Sequence, residues 1–217
     1  MRKSLPTARK IRERGVVAVL MIEHVEDAVP VARALLEGGV DVMELTLRTQ
    51  AAMDSLRAVK AEVPEMLAGV GTVLSPSQVK EVRDAGADFA VAPGMNPRVL
   101  KAAEEADLPF SPGIMTPSDI EAAVEFGCEV LKFFPASTSG GLKHLKNIAA
   151  PYQHLGLQYI PLGGINQENM GDYLGSDLIA AIGGSWLASK ALIADRNWAQ
   201  ITENARAAVA AVAAARA

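Results

Sequence analysis

Cysteine is almost absent from the chain, with Cys128 standing alone among 217 residues. A lone thiol excludes an internal disulfide and fits a reducing compartment, so a cytoplasmic protein is expected. Cys128 opens an apolar run in F-G-C-E-V, where a buried, inert thiol is a better reading than a nucleophile. Histidine is nearly as scarce. His24, His144 and His154 share no metal-ligand spacing, and neither H-x-x-x-H nor H-E-x-x-H occurs, which disfavours metal-dependent chemistry. All three are expected on the surface or in loops, with Lys143, His144 and Lys146 on a solvated helix face. Basic charge is in short supply as well. The formal net charge of −4 offers no field for nucleic acid, so no such partner is expected. No apolar stretch approaches the length that spans a bilayer, and no membrane association is expected. The basic segment from Met1 to Gly15 lacks the apolar centre of a secretory leader. Thr7 as N-cap, Ile11 on an apolar side and Gly15 as stop predict a short helix there, lying over one end of the fold.

What the chain does contain is one alternation repeated throughout. Short apolar runs rich in β-formers alternate with stretches of helical period, with Gly, Pro, Asn or Ser between them. The runs are Val16 to Met21, Val42 to Leu45, Leu67 to Val70, Phe89 to Ala92, Leu108 to Pro112, Val130 to Phe134, Gln158 to Leu162 and Leu178 to Ile182. Successive starts lie roughly 20 to 28 residues apart, the length of one βα unit. Glycine closes several helical stretches, at Gly38-Gly39, Gly86 and Gly127, while Ser75-Pro76 and Thr116-Pro117 open two others. In the Ala-rich tail Ile201, Ala205, Val209 and Val212 fall on one face, and Trp186 and Trp198 read as packing residues. Eight βα units with no paired-strand runs predict a parallel sheet, and eight is the number that closes into a (β/α)8 TIM barrel. An open doubly wound sheet is the alternative, but no G-x-G-x-x-G follows the first run. The chain reads as a single domain over residues 1–217, with no linker or low-complexity segment.

In such barrels the active site forms at the carboxyl ends of the strands. Lys132 lies inside the apolar run V-L-K-F-F-P. Burial there opposes its charge, and a neutral amine facing a cavity is what attack on a ketone requires. The bland alternative is a lysine that snorkels outward or pairs with a carboxylate. In V-M-E-L-T-L-R-T, Val42, Glu44, Thr46 and Arg48 share one parity while Met43, Leu45 and Leu47 take the other. If the apolar parity meets the helices, Glu44 points inward and Arg48 lies just past the strand end. A carboxylate beside an imine-forming lysine can move protons, and a guanidinium at the rim can hold an anion. A purely structural Glu44–Lys132 pair would add little net stability. The last two runs end in P-L-G-G-I-N and I-G-G-S-W, where loops of this fold commonly bind phosphate through glycine amides. Gly163, Gly164, Gly184 and Ser185 are the candidates.

With these residues placed, the chain resembles the 2-keto-3-deoxy-6-phosphogluconate (KDPG) / 4-hydroxy-2-oxoglutarate (KHG) aldolase family. The resemblance covers nearly the whole length, through Gly38 to Thr49, G-V-G-T-V-L (Gly69 to Leu74), A-P-G (Ala92 to Gly94), P-G-I-M-T-P (Pro112 to Pro117), K-F-F-P-A (Lys132 to Ala136), G-G-I and G-G-S-W. It implies Lys132 as Schiff-base lysine and Glu44 as the carboxylate that shuttles protons. It also implies Arg48 and Thr72 at the keto-acid carboxylate, Pro93 and Phe134 as pocket walls, and the two glycine loops with Ser185 at a phosphate. No metal or organic cofactor, a homotrimer and a place in Entner–Doudoroff carbohydrate metabolism are implied too. Two positions depart from the pattern. Leu162 replaces the threonine of the usual P-T-G-G-I, and Met21 stands where some relatives place an arginine.

The resulting expectation is a class I aldolase cleaving KDPG to pyruvate and glyceraldehyde 3-phosphate, and 4-hydroxy-2-oxoglutarate as well. An aldolase for the galactonate epimer is one alternative, because Leu162 lines the pocket. Another is a phosphate-binding isomerase or transferase in which Lys132 is an electrostatic clamp and no covalent intermediate forms. A third is a non-catalytic barrel whose Glu44 and Lys132 form a structural pair.

Overall fold

The computed structural model describes residues 5–216. Helix and strand alternate along the chain: α1 (Leu5–Arg14), β1 (Val16–Leu20), α2 (Ala28–Glu37), β2 (Val42–Thr46), α3 (Ala52–Glu62), β3 (Leu67–Gly71), α4 (Pro76–Asp84), β4 (Phe89–Val91) and α5 (Pro97–Glu105). The second half runs β5 (Phe110–Ser111), β6 (Gly113–Ile114), α6 (Pro117–Glu125), β7 (Val130–Phe133), α7 (Gly141–Ala149), β8 (Gln158–Pro161), α8 (Met170–Leu174), β9 (Ile182–Gly184), α9 (Lys190–Ala194) and α10 (Trp198–Arg216). All strand pairs are parallel, in one sheet of order β5-β4-β3-β2-β1-β9 and a second of order β6-β7-β8. The protein is therefore an α/β fold on curled parallel sheets.

Local chemistry explains many of the boundaries. Ser75 and Thr116 each close a capping box, with Gln78 and Asp119 respectively, and each is followed by proline at the first helical turn. Gly39, Gly86 and Gly127 take φ values of 89°, 87° and 66°, the left-handed conformation expected past a helix end. On α10, Ile201, Ala205 and Val212 are buried and Val209 is half-buried, as the apolar face predicts.

The strand parity divides the core in two. Met43 and Leu45 pack outward into the large cluster shared with the helices, whereas Val42 joins an inner cluster with Val17, Val19, Phe89, Val91, Ile160 and Leu162. Ile11 of α1 is buried against this inner set, closing the amino end of the strands. Burying a side chain of that size contributes about 1.5–3 kcal/mol.

Several expectations need correction. Of the fifth run, Leu108 to Pro112, only Phe110–Ser111 is strand, and Pro112, which has no N–H to give, separates it from β6 just beyond. Backbone bonds nonetheless continue across it, from Gly113 N–H to the Gly94 carbonyl and from Lys132 N–H to the Pro112 carbonyl. In the eighth run only the last residue, Ile182, is strand, because 178–180 pairs with Tyr159 of β8 while Ile182 turns to the Gly15 carbonyl. Thr7 is not an N-cap, since α1 is already helical at Leu5. Cys128 is half-buried rather than fully buried, and burial pushes its thiol up to about 11, away from the thiolate that a nucleophile needs. His24 and His154 are exposed, whereas His144 is half-buried, stacked on Phe133 and hydrogen-bonded to the Met115 carbonyl.

Candidate active site

Strand β2 places Glu44 between β1 and β3, in register with Val19 and Gly69. Strand β7 places Lys132 between Gly113 and Ile160. Both side chains turn inward, and the Lys132 Nζ donates to Glu44 Oε1 at 3.2 Å. Only 7% of Lys132 and 3% of Glu44 is exposed. Two opposite charges shut away from water would cost several kcal/mol each if unpaired, and their separation across 88 positions is a product of the fold alone. Phe134, two residues on and on the same side, brings its ring centroid to 5.6 Å from the Lys132 Nζ.

Room for the carboxylate comes from a residue that the sequence reading did not single out. A Cβ at Gly71 would overlap the Glu44 carboxylate, so only glycine fits beside it. The alternation of Gly69 and Gly71 on the inward side of β3 was the available signal.

The remaining candidates sit where the strands end. Thr72, immediately after β3, has φ 64°, a left-handed conformation costly for a β-branched residue at about 1–3 kcal/mol. Its neighbours leave little choice: the Gly71 carbonyl accepts from Leu47 N–H, and Val73 N–H donates to the Val91 carbonyl. Arg48 follows β2 and is exposed, and its guanidinium makes no hydrogen bond or ion pair among the described residues. The segment carrying it is braced, with Thr46 Oγ1 donating to the Leu20 carbonyl and Thr49 Oγ1 to the Ile22 carbonyl. Pro93 follows β4, with its carbonyl packed where a side chain at Gly113 would stand. Arg48, Thr72, Pro93 and Ser185 share the carboxyl ends of the strands with the Lys132–Glu44 pair, but no hydrogen bond among the described residues joins them to it.

Leu162, just past β8, is buried and packs against Gly183 of β9. Beyond it Gly163 and Gly164 take φ values of 93° and 79°. Ser137 lies so close to Gly164 that a Cβ there would press on its hydroxyl. Gly184 is crossed by the Trp186 ring, and Ser185 is exposed between them. Among the described residues no group of three or more His, Cys, Asp or Glu could hold a metal ion. Nor is any helix there long and apolar enough to cross a membrane.

Comparison with known proteins shows what the chain is similar to. The family model described as "KDPG and KHG aldolase" matches residues 7–204. The KHG/KDPG aldolase of Escherichia coli K12 is 45% identical over 194 residues, covering 89% of this chain and 90% of that one. A Legionella pneumophila KDPG aldolase, solved with pyruvate captured at low pH as a covalent carbinolamine, superimposes with a TM-score of 0.89 at 36% identity, covering 93% and 97% of the two chains. The Zymomonas mobilis ZM4 enzyme with 3-phosphoglycerate gives 0.88 at 35% identity, covering 97% and 96%.

Proposed function

The chain belongs to the KDPG and KHG aldolase family, and from that premise we propose how its own residues carry the reaction. It is a Schiff-base aldolase, a carbon–carbon lyase that cleaves 2-keto-3-deoxy-6-phosphogluconate to pyruvate and glyceraldehyde 3-phosphate. The observation that carries the assignment of residues is the buried Lys132–Glu44 contact of 3.2 Å.

At that distance Glu44 can take a proton from the ammonium, leaving the amine that attacks the C2 ketone. The carbinolamine loses water as Glu44 returns the proton, which gives a protonated imine. Glu44 then accepts the proton of the C4 hydroxyl. The C3–C4 bond breaks, its electrons flow to the imine nitrogen, and the aldehyde leaves behind an enamine. The same carboxyl protonates C3, and water releases pyruvate and restores the pair. One acid can serve every step because each proton moves to or from atoms bound at Nζ or close to it. The Phe134 ring beside Nζ keeps this space apolar.

Arg48, without a partner among the described residues, and Thr72, held in a strained backbone, take the carboxylate end of the keto acid. Pro93, Phe134 and Leu162 form walls. Gly163, Gly164, Gly184 and Ser185 receive the phosphate. The two sheets belong to one closed (β/α)8 barrel, a reading supported by the hydrogen bonds that carry the backbone across Pro112 and through 178–182. A cytoplasmic homotrimer is the corresponding assembly. Family resemblance supports the trimer, and Leu74, 53% exposed after β3, is apolar surface that association would cover. Pyruvate formation from KDPG should be robust for the native chain and absent for a folded Lys132→Ala variant. Turnover by that variant would assign the chemistry elsewhere.

A further inference from the structure

The loop after β8 presents three successive amides. Among the described residues, the N–H groups of Gly163, Gly164 and Ile165 make no hydrogen bond. Their carbonyl partners across each peptide are all occupied, and on one side. The Leu162 carbonyl accepts from Ala136 N–H at 2.7 Å and the Gly163 carbonyl from Ser137 N–H at 3.0 Å. The Gly164 carbonyl accepts twice, from Ser137 Oγ at 2.9 Å and from Asn169 Nδ2 at 2.8 Å. A trans peptide sets its N–H opposite its C=O. Pulling three carbonyls toward the 136–137 segment or Asn169 therefore turns three N–H groups away from them. β8 is the edge strand of its own sheet, and on the side away from β7 the side chain of Leu162, just past it, packs against Gly183 of β9. The free amides thus face the side that carries Gly184 and Ser185.

The first two of these carbonyls are held by backbone, which any sequence supplies. The third is held only by side chains. Left alone, a glycine peptide such as Gly164–Ile165 could flip at little cost. We propose that Ser137 and Asn169 are positioning residues for the phosphate of the substrate: by fixing the Gly164 carbonyl they hold the Ile165 N–H in line with those of Gly163 and Gly164. This rests on reading the glycine loops as the phosphate end. Asn169 is itself oriented, since its Oδ1 accepts from Asn166 N–H at 2.9 Å, leaving Nδ2 to reach back to Gly164. Neither residue need touch the substrate. An anion meets a cradle that is already formed, so less ordering is charged against binding.

The test compares KDPG with unphosphorylated 4-hydroxy-2-oxoglutarate on the full chain. Ser137→Ala should raise KM for KDPG by about 3- to 10-fold, the scale of one hydrogen bond, with kcat little changed. It should weaken competitive inhibition by inorganic phosphate to the same extent and leave kcat/KM for 4-hydroxy-2-oxoglutarate as in the native chain. Asn169→Ala should act in the same direction, and the double variant should be no weaker than either. Ser185→Asp separates the two layers of the argument, because it puts negative charge into the phosphate position itself. If Ser185→Asp raises KM for KDPG selectively while Ser137→Ala and Asn169→Ala do not, the positioning role is wrong and the phosphate site stands. If Ser185→Asp affects both substrates equally, the phosphate placement fails and the inference with it. A loss on both substrates for Ser137→Ala would mark a merely structural role and overturn the proposal. Should Asn169→Ala not fold, the exposed Ser137 decides alone.

Discussion

The two ends of the parallel strands are built on opposite principles. At the amino ends Ile11 packs into the inner cluster with Phe89, over a cavity of about 120 Å³ that Cys128 and Val130 also line. Lys60 there meets Asp88 at 2.8 Å, and the same carboxylate accepts from Ala68 N–H, although the buried Asp41 Oδ1 and Gln158 Oε1 find no hydrogen-bond partner among the described residues. At the carboxyl ends lie a buried ion pair, a threonine in a strained backbone and, among the described residues, an arginine without a partner and three idle amides. Stability alone would select the first arrangement throughout. Open donors gathered around a buried ion pair are what a substrate with an anion at each extremity would use.

If this contrast is right, substitutions at the two ends should separate turnover from stability. The largest effect belongs to Glu44→Gln, which keeps a hydrogen-bond acceptor for Lys132 and removes the base. Turnover of KDPG should fall by about 10²–10⁴ with the thermal transition close to that of the native chain. A folded variant of near-native activity would return Glu44 to a structural role. Ile11→Ala should do the reverse, costing about 2–3 kcal/mol by urea denaturation, the low end for such truncations because Ile11 borders a cavity. Its kcat/KM should stay within about twofold, since Ile11 packs at the amino ends of the strands and the reacting Lys132–Glu44 pair does not include it. A large loss of activity without loss of stability would erase the distinction between the ends. Leu162→Thr should give the smallest change. An apolar wall separates the C4 epimers only by shape, whereas a hydroxyl in the same place can bond one epimer and not the other. The native chain should cleave both the gluconate- and galactonate-derived substrates, and the variant should sharpen the preference for the first by about 1–2 kcal/mol in kcat/KM. Equal selectivity in both proteins would make Leu162 a packing residue only.

How far the sequence reveals this division depends on whether the determinant is local. The parity of Val42 to Arg48 was enough to turn Glu44 inward, and a lysine in an apolar run was enough to single out Lys132. Their contact depends on pairing β1, β2 and β3 on one side and β6, β7 and β8 on the other, which no short-range pattern contains. The helix caps at Ser75 and Thr116 are legible because they act over three residues. Pro112 was visible as a residue, yet its effect, dividing the fifth strand, depends on which neighbours need its missing N–H. His144 looked like part of a solvated face because Phe133 and the Met115 carbonyl reach it from other elements. Thr72 carries no mark in its letter at all: its φ is imposed by Leu47 and Val91 on either side. The same holds for Ser137 and Asn169, ordinary loop residues until Gly164 is placed between them.

The central claim is that the Lys132 Nζ forms a covalent imine with substrate. Incubation with pyruvate and borohydride, followed by intact mass and peptide mapping, tests it directly. The account predicts a single reduced pyruvyl group on the peptide containing Lys132, with no label on Lys132→Ala. An active native chain that takes up no label, or that carries it on another lysine, would contradict it.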